Sequence, residues 1–387
     1  MVFRCISIVF GWYSKPRKDN YFYAQTLVAL VVQDLELPTI DPKKSTVLVV
    51  LGLFAYFAYL CHLGLGEVTA SLSQVNLSIF GLAFLLSLLN VVFNALSWKT
   101  LIRELDYRIS LADVFSIYMS SIFLNNLIPS GSVSGETARL YFLNKIAGNA
   151  RLDSSTASVA ATRIITAAPF VLGMSLGLVY LVLWYEVPSW ALTTCLSMIF
   201  LMVSAGALFV GVCFSESWLL GTVNVVIDQA ERLFKRSIDR NLCCGITHEF
   251  QQSMLLLRNR NGPLLLSSFW ALLGWLSLNL VAFAALQSLG VEVPILALFA
   301  VYSVIMVFQN LPLILPGGIG IVEILMTALF TAVGVSLHDA AAVTILARVA
   351  QLWFHTLLGG ICTAHLLRKV GKTGTKRSTS MIPARGP

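Results

Sequence analysis

Apolar residues run in six blocks, at residues 46–63, 79–98, 156–184, 190–212, 264–289 and 340–367. Each approaches or exceeds the roughly 20 residues that a helix needs to cross a hydrocarbon core. Two further apolar stretches are of a different kind. Residues 114–128 run into Pro129-Ser130-Gly131, and residues 294–311 and 321–335 flank Leu311-Pro312-Leu313-Ile314-Leu315-Pro316-Gly317-Gly318-Ile319-Gly320. Proline removes a backbone donor and glycine releases the backbone, so each site breaks a helix. Broken helices are tolerated at membrane depth where protein or water takes up the freed groups. The pattern predicts an all-α polytopic membrane protein with about six full spans and two re-entrant broken-helix hairpins.

Composition strengthens this picture. Of the 387 residues, 57% are hydrophobic and 12% charged, about half the charge of a soluble domain. The net charge of +7 then has to be explained by position. Lys43, Lys44, Lys99, Arg103, Arg108, Arg139, Lys145, Arg151, Arg232, Lys235, Arg236, Arg240, Arg258, Arg260 and the tail from Arg368 flank one set of span ends. The turns carrying Glu67, Glu186 and Glu292 hold no Lys or Arg. Basic residues beside spans mark the cytoplasmic side. The chain therefore reads as a multi-pass protein of the cell membrane with both termini cytoplasmic, the first hairpin entering from inside and the second from outside. The basic residues form no compact face interleaved with aromatics, so no nucleic-acid partner is expected.

The two hairpins share a motif. Pro129…Gly131…Glu136 and Pro316…Gly318…Glu323 both read P-x-G-x-x-x-x-E, 187 positions apart. Arg163 and Arg348, each inside the following span, are 185 apart. The units 79–184 and 264–367 thus form an inverted repeat, an arrangement recurrent in transporters. Between them, 215–262 reads as a cytoplasmic linker with amphipathic segments at 219–234 and 250–257, as fit to be a solvated connection as a lipid-surface element. Residues 1–43 form an extension, interfacial or disordered, ahead of a transmembrane domain at 44–369. Residues 370–387 read as a basic disordered tail.

Candidate chemistry lies where ionisable groups enter apolar surroundings: Glu136, Arg139, Arg163, Glu323 and Arg348. Such groups are costly at depth, so they face protein or water and take partners. They fit a central substrate-binding site in which arginine forks meet a lipid phosphate, with the hairpin tips Pro129, Gly131, Pro316, Gly317 and Gly318 freeing backbone N–H groups toward an anion. They also fit a purely structural role, each Glu capping its broken helix or neutralising an Arg. Asn125, Asn126, Gln309 and Asn310 serve either the same cavity or the freed backbone, with the second role favoured. His355 and Gln351 share a helical face with Arg348, and His355 fits a packing residue better than a proton carrier. Seven scattered cysteines without a C-x-x-C pair give no metal site. No nucleophile elbow, Walker loop or H-E-x-x-H occurs, so neither cofactor nor enzymatic activity is expected.

These motifs resemble a known family. Ile128-Pro-Ser-Gly followed by Gly135-Glu136-Thr-Ala-Arg139, then Leu311-Pro-Leu-Ile-Leu-Pro316-Gly-Gly-Ile-Gly-Ile-Val-Glu323, with Gly334, Ala340, Arg348 and Gly359-Gly360 trailing, are similar to the paired motifs of the lysylphosphatidylglycerol-synthase transmembrane-region, or flippase-like, family. The resemblance spans roughly 44–369. The first motif is the looser match, with Ser-Val-Ser where the family has a shorter Gly-containing link. In multi-domain members the resemblance implies movement of an aminoacylated phospholipid between leaflets, with a separate soluble domain making that lipid. This sequence holds no such domain. It therefore reads as a lipid translocator for an anionic phospholipid, an aminoacyl-phospholipid or a polyprenyl-phosphate-linked lipid. The alternative is a non-transporting membrane subunit that anchors or regulates a separately encoded lipid- or glycan-modifying enzyme.

Overall fold

Each long apolar block becomes a helix, because a backbone without water must bond to itself. The computed structural model describes residues 42–128, 132–148, 152–184, 189–234, 240–310 and 316–380. Among these the order is α1 (Pro42–Leu63), α2 (Leu65–Ser73), α3 (Leu77–Glu104), α4 (Leu111–Leu127), α5 (Val133–Ala147), α6 (Leu152–Trp184), α7 (Ser189–Phe214), α8 (Glu216–Phe234), α9 (Arg240–Arg258), α10 (Asn261–Ser288), α11 (Ile295–Asn310), a 3-10 turn (Pro316–Gly318), α12 (Ile321–Ala332), α13 (Leu337–Arg348), a π-helical turn (Val349–Trp353) and α14 (Phe354–Ser380). No strand occurs among the described residues. Five helical segments are long and apolar enough to cross a membrane, and α1 with α2 makes a sixth if counted as one span. Large apolar side chains such as Phe54, Leu183, Phe200, Leu265 and Leu357 point outward, the surface that lipid and not water would cover.

Three expectations change. The connection expected over 64–78 contains α2, which leaves α1 at 91°. Gly64 makes that bend with φ +97°, a value only glycine adopts freely. Residues 215–262 are no solvated linker, because α9 docks on α6 and buries Thr247, Gln251, Ser253, Met254 and Leu257. The expected disordered tail is helical through Ser380. Extending a helix that is already nucleated costs little, and the next proline is Pro383. The expectation for residues 1–41 lies outside the described residues.

The closest packing joins α3 to α10. Small and amide residues let the backbones approach: Ser97 and Ser267 hydroxyls bond at 2.9 Å, and Asn90 Nδ2 donates to the Gly274 carbonyl at 2.8 Å. Beside its contacts with neighbouring helices, each hairpin reaches a helix distant in sequence. α4 of the first hairpin packs on α14, and α11 of the second packs on α6. Both seams use glycine. A Cβ on Gly359 of α14 would sit 2.6 Å from the Met119 carbonyl oxygen of α4, and one on Gly177 of α6 would overlap the Ala300 backbone of α11. Gly359→Val is therefore expected to cost about 1–3 kcal/mol through overpacking. Gly81→Ala, inside α3 where a Cβ meets nothing within 4 Å, should keep stability or raise it by up to about 1 kcal/mol. Thermal melting of the two purified variants in detergent checks this, and equal melting temperatures would refute the tight seam.

Two ends of the bundle are distinct. At one end, α2 meets the start of α13 through Ser71 Oγ donating to Asp339 at 2.8 Å and a contact between His338 Nε2 and the Leu63 carbonyl at 3.1 Å. There the Asn76 amide also donates to the Ser288 carbonyl at 2.7 Å. The other end carries the Lys369–Asp113 pair at 2.5 Å and the looser Arg260–Glu104 pair at 3.9 Å. Two apolar clusters lie toward these ends. One is built around Trp98, Ile117, Phe142 and Leu257, the other around Leu298, Tyr302, Met326 and Phe330.

Candidate functional site

The second hairpin turns on glycine. Gly317, Gly318 and Gly320 take φ of 60°, 67° and 92°, the left-handed region where side chains are strained, which accounts for the P-G-G-x-G spelling. α12 then starts with Glu323 reaching back, its Oε2 accepting from the Gly320 amide at 2.6 Å. Its other oxygen accepts from Arg348 Nε at 2.5 Å, while Arg348 Nη2 donates to the Gly317 carbonyl at 2.8 Å. The two side chains are only 5% and 6% exposed. Arg348 thus clips the turn of the second hairpin to the last span, one residue before the π-helical turn. In that turn the Ser87 hydroxyl donates to the Ala350 carbonyl at 2.7 Å. His355 Nε2 lies 2.8 Å from Ser87 Oγ and 3.2 Å from the Ser87 carbonyl. The Ser87 hydrogen is already committed, so His355 is the donor, a hydrogen-bonded packing residue.

At the first hairpin Pro129 and Gly131 lie outside the described residues. α5 begins after Ser132, a left-handed residue at φ 72°. The orphan amides of its first turn need acceptors, and Asn125 of α4 supplies one: its Oδ1 accepts from the Gly135 amide at 2.7 Å and the Ser134 hydroxyl at 3.2 Å. Only glycine fits at 135, since a Cβ there would come within 2.5 Å of Asn125 Nδ2 and the Ser121 carbonyl oxygen. Glu136, one turn into the helix, forms an ion pair with Arg163 of α6 and another with Arg139 Nη1 at 3.0 Å. Arg139 is held between aromatic faces, 4.3 Å from the Trp98 centroid and 4.9 Å from that of Tyr118. It is 3% exposed, and its Nε and Nη2 have no hydrogen-bond partner among the described residues.

Ile128 and Ser132 of the first hairpin and Gly317 of the second line a cavity of about 290 Å³. Of the expected site residues, Glu136, Arg139, Arg163, Arg348 and Gly317 line it. Glu323 stands behind Arg348 and holds it, while Pro316 and Gly318 are buried outside the wall. Asn125, Asn126 and Gln309 also reach the cavity. Asn126 Nδ2 bonds Thr356 Oγ1 at 2.9 Å, so Asn125 serves the backbone and Asn126 a neighbouring helix. The description does not extend to the Asn310 side chain. Sequence reasoning passed over Asn90 and Asn94 of α3 and Thr162 and Thr166 of α6, which complete the polar wall. The signal was there: each pair is four residues apart inside an apolar span and so shares one helical face. Three guanidiniums face two carboxylates across this constellation, a net charge of +1. Among the described residues no three His, Cys, Asp or Glu side chains gather as metal ligands.

The comparisons with known proteins bear on this geometry. A family model described as the lysylphosphatidylglycerol synthase TM region matches residues 45–359, which include both hairpins and every charged site residue. The chain is similar to UPF0104 membrane proteins of archaea. It is 25% identical over 323 residues to one from Methanothermobacter thermautotrophicus, covering 82% of this chain and 94% of the relative. It is 27% identical over 332 residues to one from Pyrococcus horikoshii, covering 82% and 96%. It is 26% identical over 336 residues to one from Methanocaldococcus jannaschii, covering 85% and 97%.

Proposed function

The chain belongs to the lysylphosphatidylglycerol synthase TM-region family of multi-pass membrane proteins, and we propose that it is a lipid translocator that passes a phosphate-bearing headgroup between leaflets. The observation that carries this reading is the polar cavity lined by both hairpins, with its net positive charge and arginine forks. A headgroup phosphate cannot cross hydrocarbon cheaply. A cavity of fixed guanidiniums, amides and hydroxyls replaces its water midway. The polar wall, which draws on both halves of the chain, is suited to binding and release. The two units read as inverted copies, each with a hairpin that reaches a distant helix, and rocking one against the other would expose the cavity to each side in turn.

The experiment is reconstitution. Purified protein in liposomes should accelerate exchange of a labelled anionic phospholipid between leaflets. Exchange no faster than in empty liposomes across several lipid classes would sink the reading. The proposed orientation puts the α2 end of the bundle outside and the basic end, with both termini, in the cytoplasm of the cell. Single cysteines at positions 70 and 292 should then react with an impermeant reagent added outside intact cells, and one at 106 should not. The reverse pattern would invert the orientation.

A further inference from the structure

We propose that the cavity selects lipids whose headgroup is a single phosphodiester joined to an uncharged, hydroxyl-rich group, and that it rejects cationic and doubly charged headgroups. This deepens the translocator reading and rests on it for the site.

Charge is the first argument. Arg139, Arg163 and Arg348 against Glu136 and Glu323 leave one positive charge. One phosphodiester neutralises it. A phosphomonoester or pyrophosphate would add negative charge without a partner, and an uncompensated charge in a low-dielectric site is costly. A cationic head finds no free carboxylate. Glu136 is shared by Arg139 and Arg163, and the oxygens of Glu323 are taken by Gly320 and Arg348.

Unfilled hydrogen-bond capacity is the second argument, and it is independent of charge. Arg139 Nε and Nη2 have no acceptor among the described residues but are buried beside the Trp98 and Tyr118 rings, so Arg163, 39% exposed, is the guanidinium that a phosphate reaches first. The acceptors left over are on amides. Asn90, Asn94 and Asn126 each spend one Nδ2 hydrogen, on the Gly274 carbonyl, the Asn90 carbonyl and the Thr356 hydroxyl. Only the nitrogen end can donate to a carbonyl, which fixes the orientation of Asn90 and Asn94 and leaves their Oδ1 atoms as acceptors at the cavity. The hydroxyls of Thr162 and Thr166 likewise donate to carbonyls of their own helix and keep their oxygen lone pairs. The wall therefore offers guanidinium donors to phosphate oxygens and carbonyl and hydroxyl acceptors to hydroxyl hydrogens. An ammonium would also satisfy those acceptors, but the net positive charge disfavours it.

Two lipid sources share this chemistry, phosphatidyl polyols and polyprenyl-phosphate hexoses, and the test separates them. The full chain in detergent is offered an equimolar mixture of phosphatidylglycerol, phosphatidylinositol, a polyprenyl-phosphate hexose, phosphatidylethanolamine, lysylphosphatidylglycerol and phosphatidic acid. Native mass spectrometry reads which are bound. At least one of the first three should exceed each of the last three by tenfold or more, and the best binder names the source. Asn94→Asp and, separately, Gln309→Glu bring the cavity to zero net charge. Each should cut that advantage at least tenfold, and using both guards against one failing to fold. Equal occupancy across the mixture, or phosphatidic acid or lysylphosphatidylglycerol ahead, overturns the proposal. Liposome exchange of the same lipids separates the two readings. Exchange without headgroup preference removes the selectivity and leaves translocation. Selective binding without exchange leaves the selectivity and removes translocation.

Discussion

Arg348→Met is expected to cost about 3–5 kcal/mol, the usual loss when one partner of a buried ion pair is removed. The reason lies in what the guanidinium ties together. It neutralises Glu323, satisfies the Gly317 carbonyl and joins the second hairpin to the last span through side chains only 5% and 6% exposed. Without it Glu323 is a buried carboxylate with one backbone donor and no countercharge. Glu323→Gln in the same chain should recover a large part of the loss, so the two changes will not add. Recovery should be incomplete, since the Gly317 carbonyl still lacks its donor. Arg348→Lys should fold and transport poorly, because an ammonium cannot span Glu323 and Gly317 with a planar fork. Melting curves of the two single variants, the double and the lysine variant make the comparison. An Arg348→Met protein that melts with the wild type would show that the clip does not hold the turn.

Arg163→Gln is expected to do the opposite, sparing the fold and stopping the transport. Its side chain is 39% exposed, and Glu136 keeps Arg139 as a partner when it goes, so stability should change by less than about 1 kcal/mol. The cavity, however, falls from a net charge of +1 to zero and loses its most accessible guanidinium. A hydrogen bond to a charged group is worth about 1.5–3 kcal/mol, so anionic-lipid exchange should drop roughly 10- to 100-fold. Liposome exchange and melting on the same preparation test both halves of the statement. Normal exchange would remove Arg163 from the binding site. Collapse of the fold would make it a structural residue.

What could be read in advance follows from range. Spans and breaks are local, so the six apolar blocks and the P-G-G-x-G turn were legible from residue type alone. The Glu136–Arg163 and Glu323–Arg348 pairings were legible because ionisable groups at depth demand partners. Arg139 was legible as a charged candidate, but its setting between two aromatic rings was not. Its ring partner Trp98 comes from another helix. The π-helical turn depends on Ser87, more than 250 positions from Ala350, and nothing in Val349–Trp353 announces it. The docking of α9 on α6 is likewise a meeting of distant faces. Asn90 and Asn94 had a readable spacing, but which cavity they faced depended on where the hairpins settled.

The hairpin seams also set a timetable for biosynthesis. α11 emerges when its partner α6 is already in place, whereas α4 must wait until about 230 more residues, including Gly359, have left the ribosome. The first hairpin is therefore among the earliest segments to be inserted and among the last to be sheltered. Until then the face of α4 at Met119 and Phe123 that Gly359 will cover needs a temporary host, whether insertion machinery or lipid. A chain stalled before α14 would leave the cell holding an unfinished half with the Met119 seam still open.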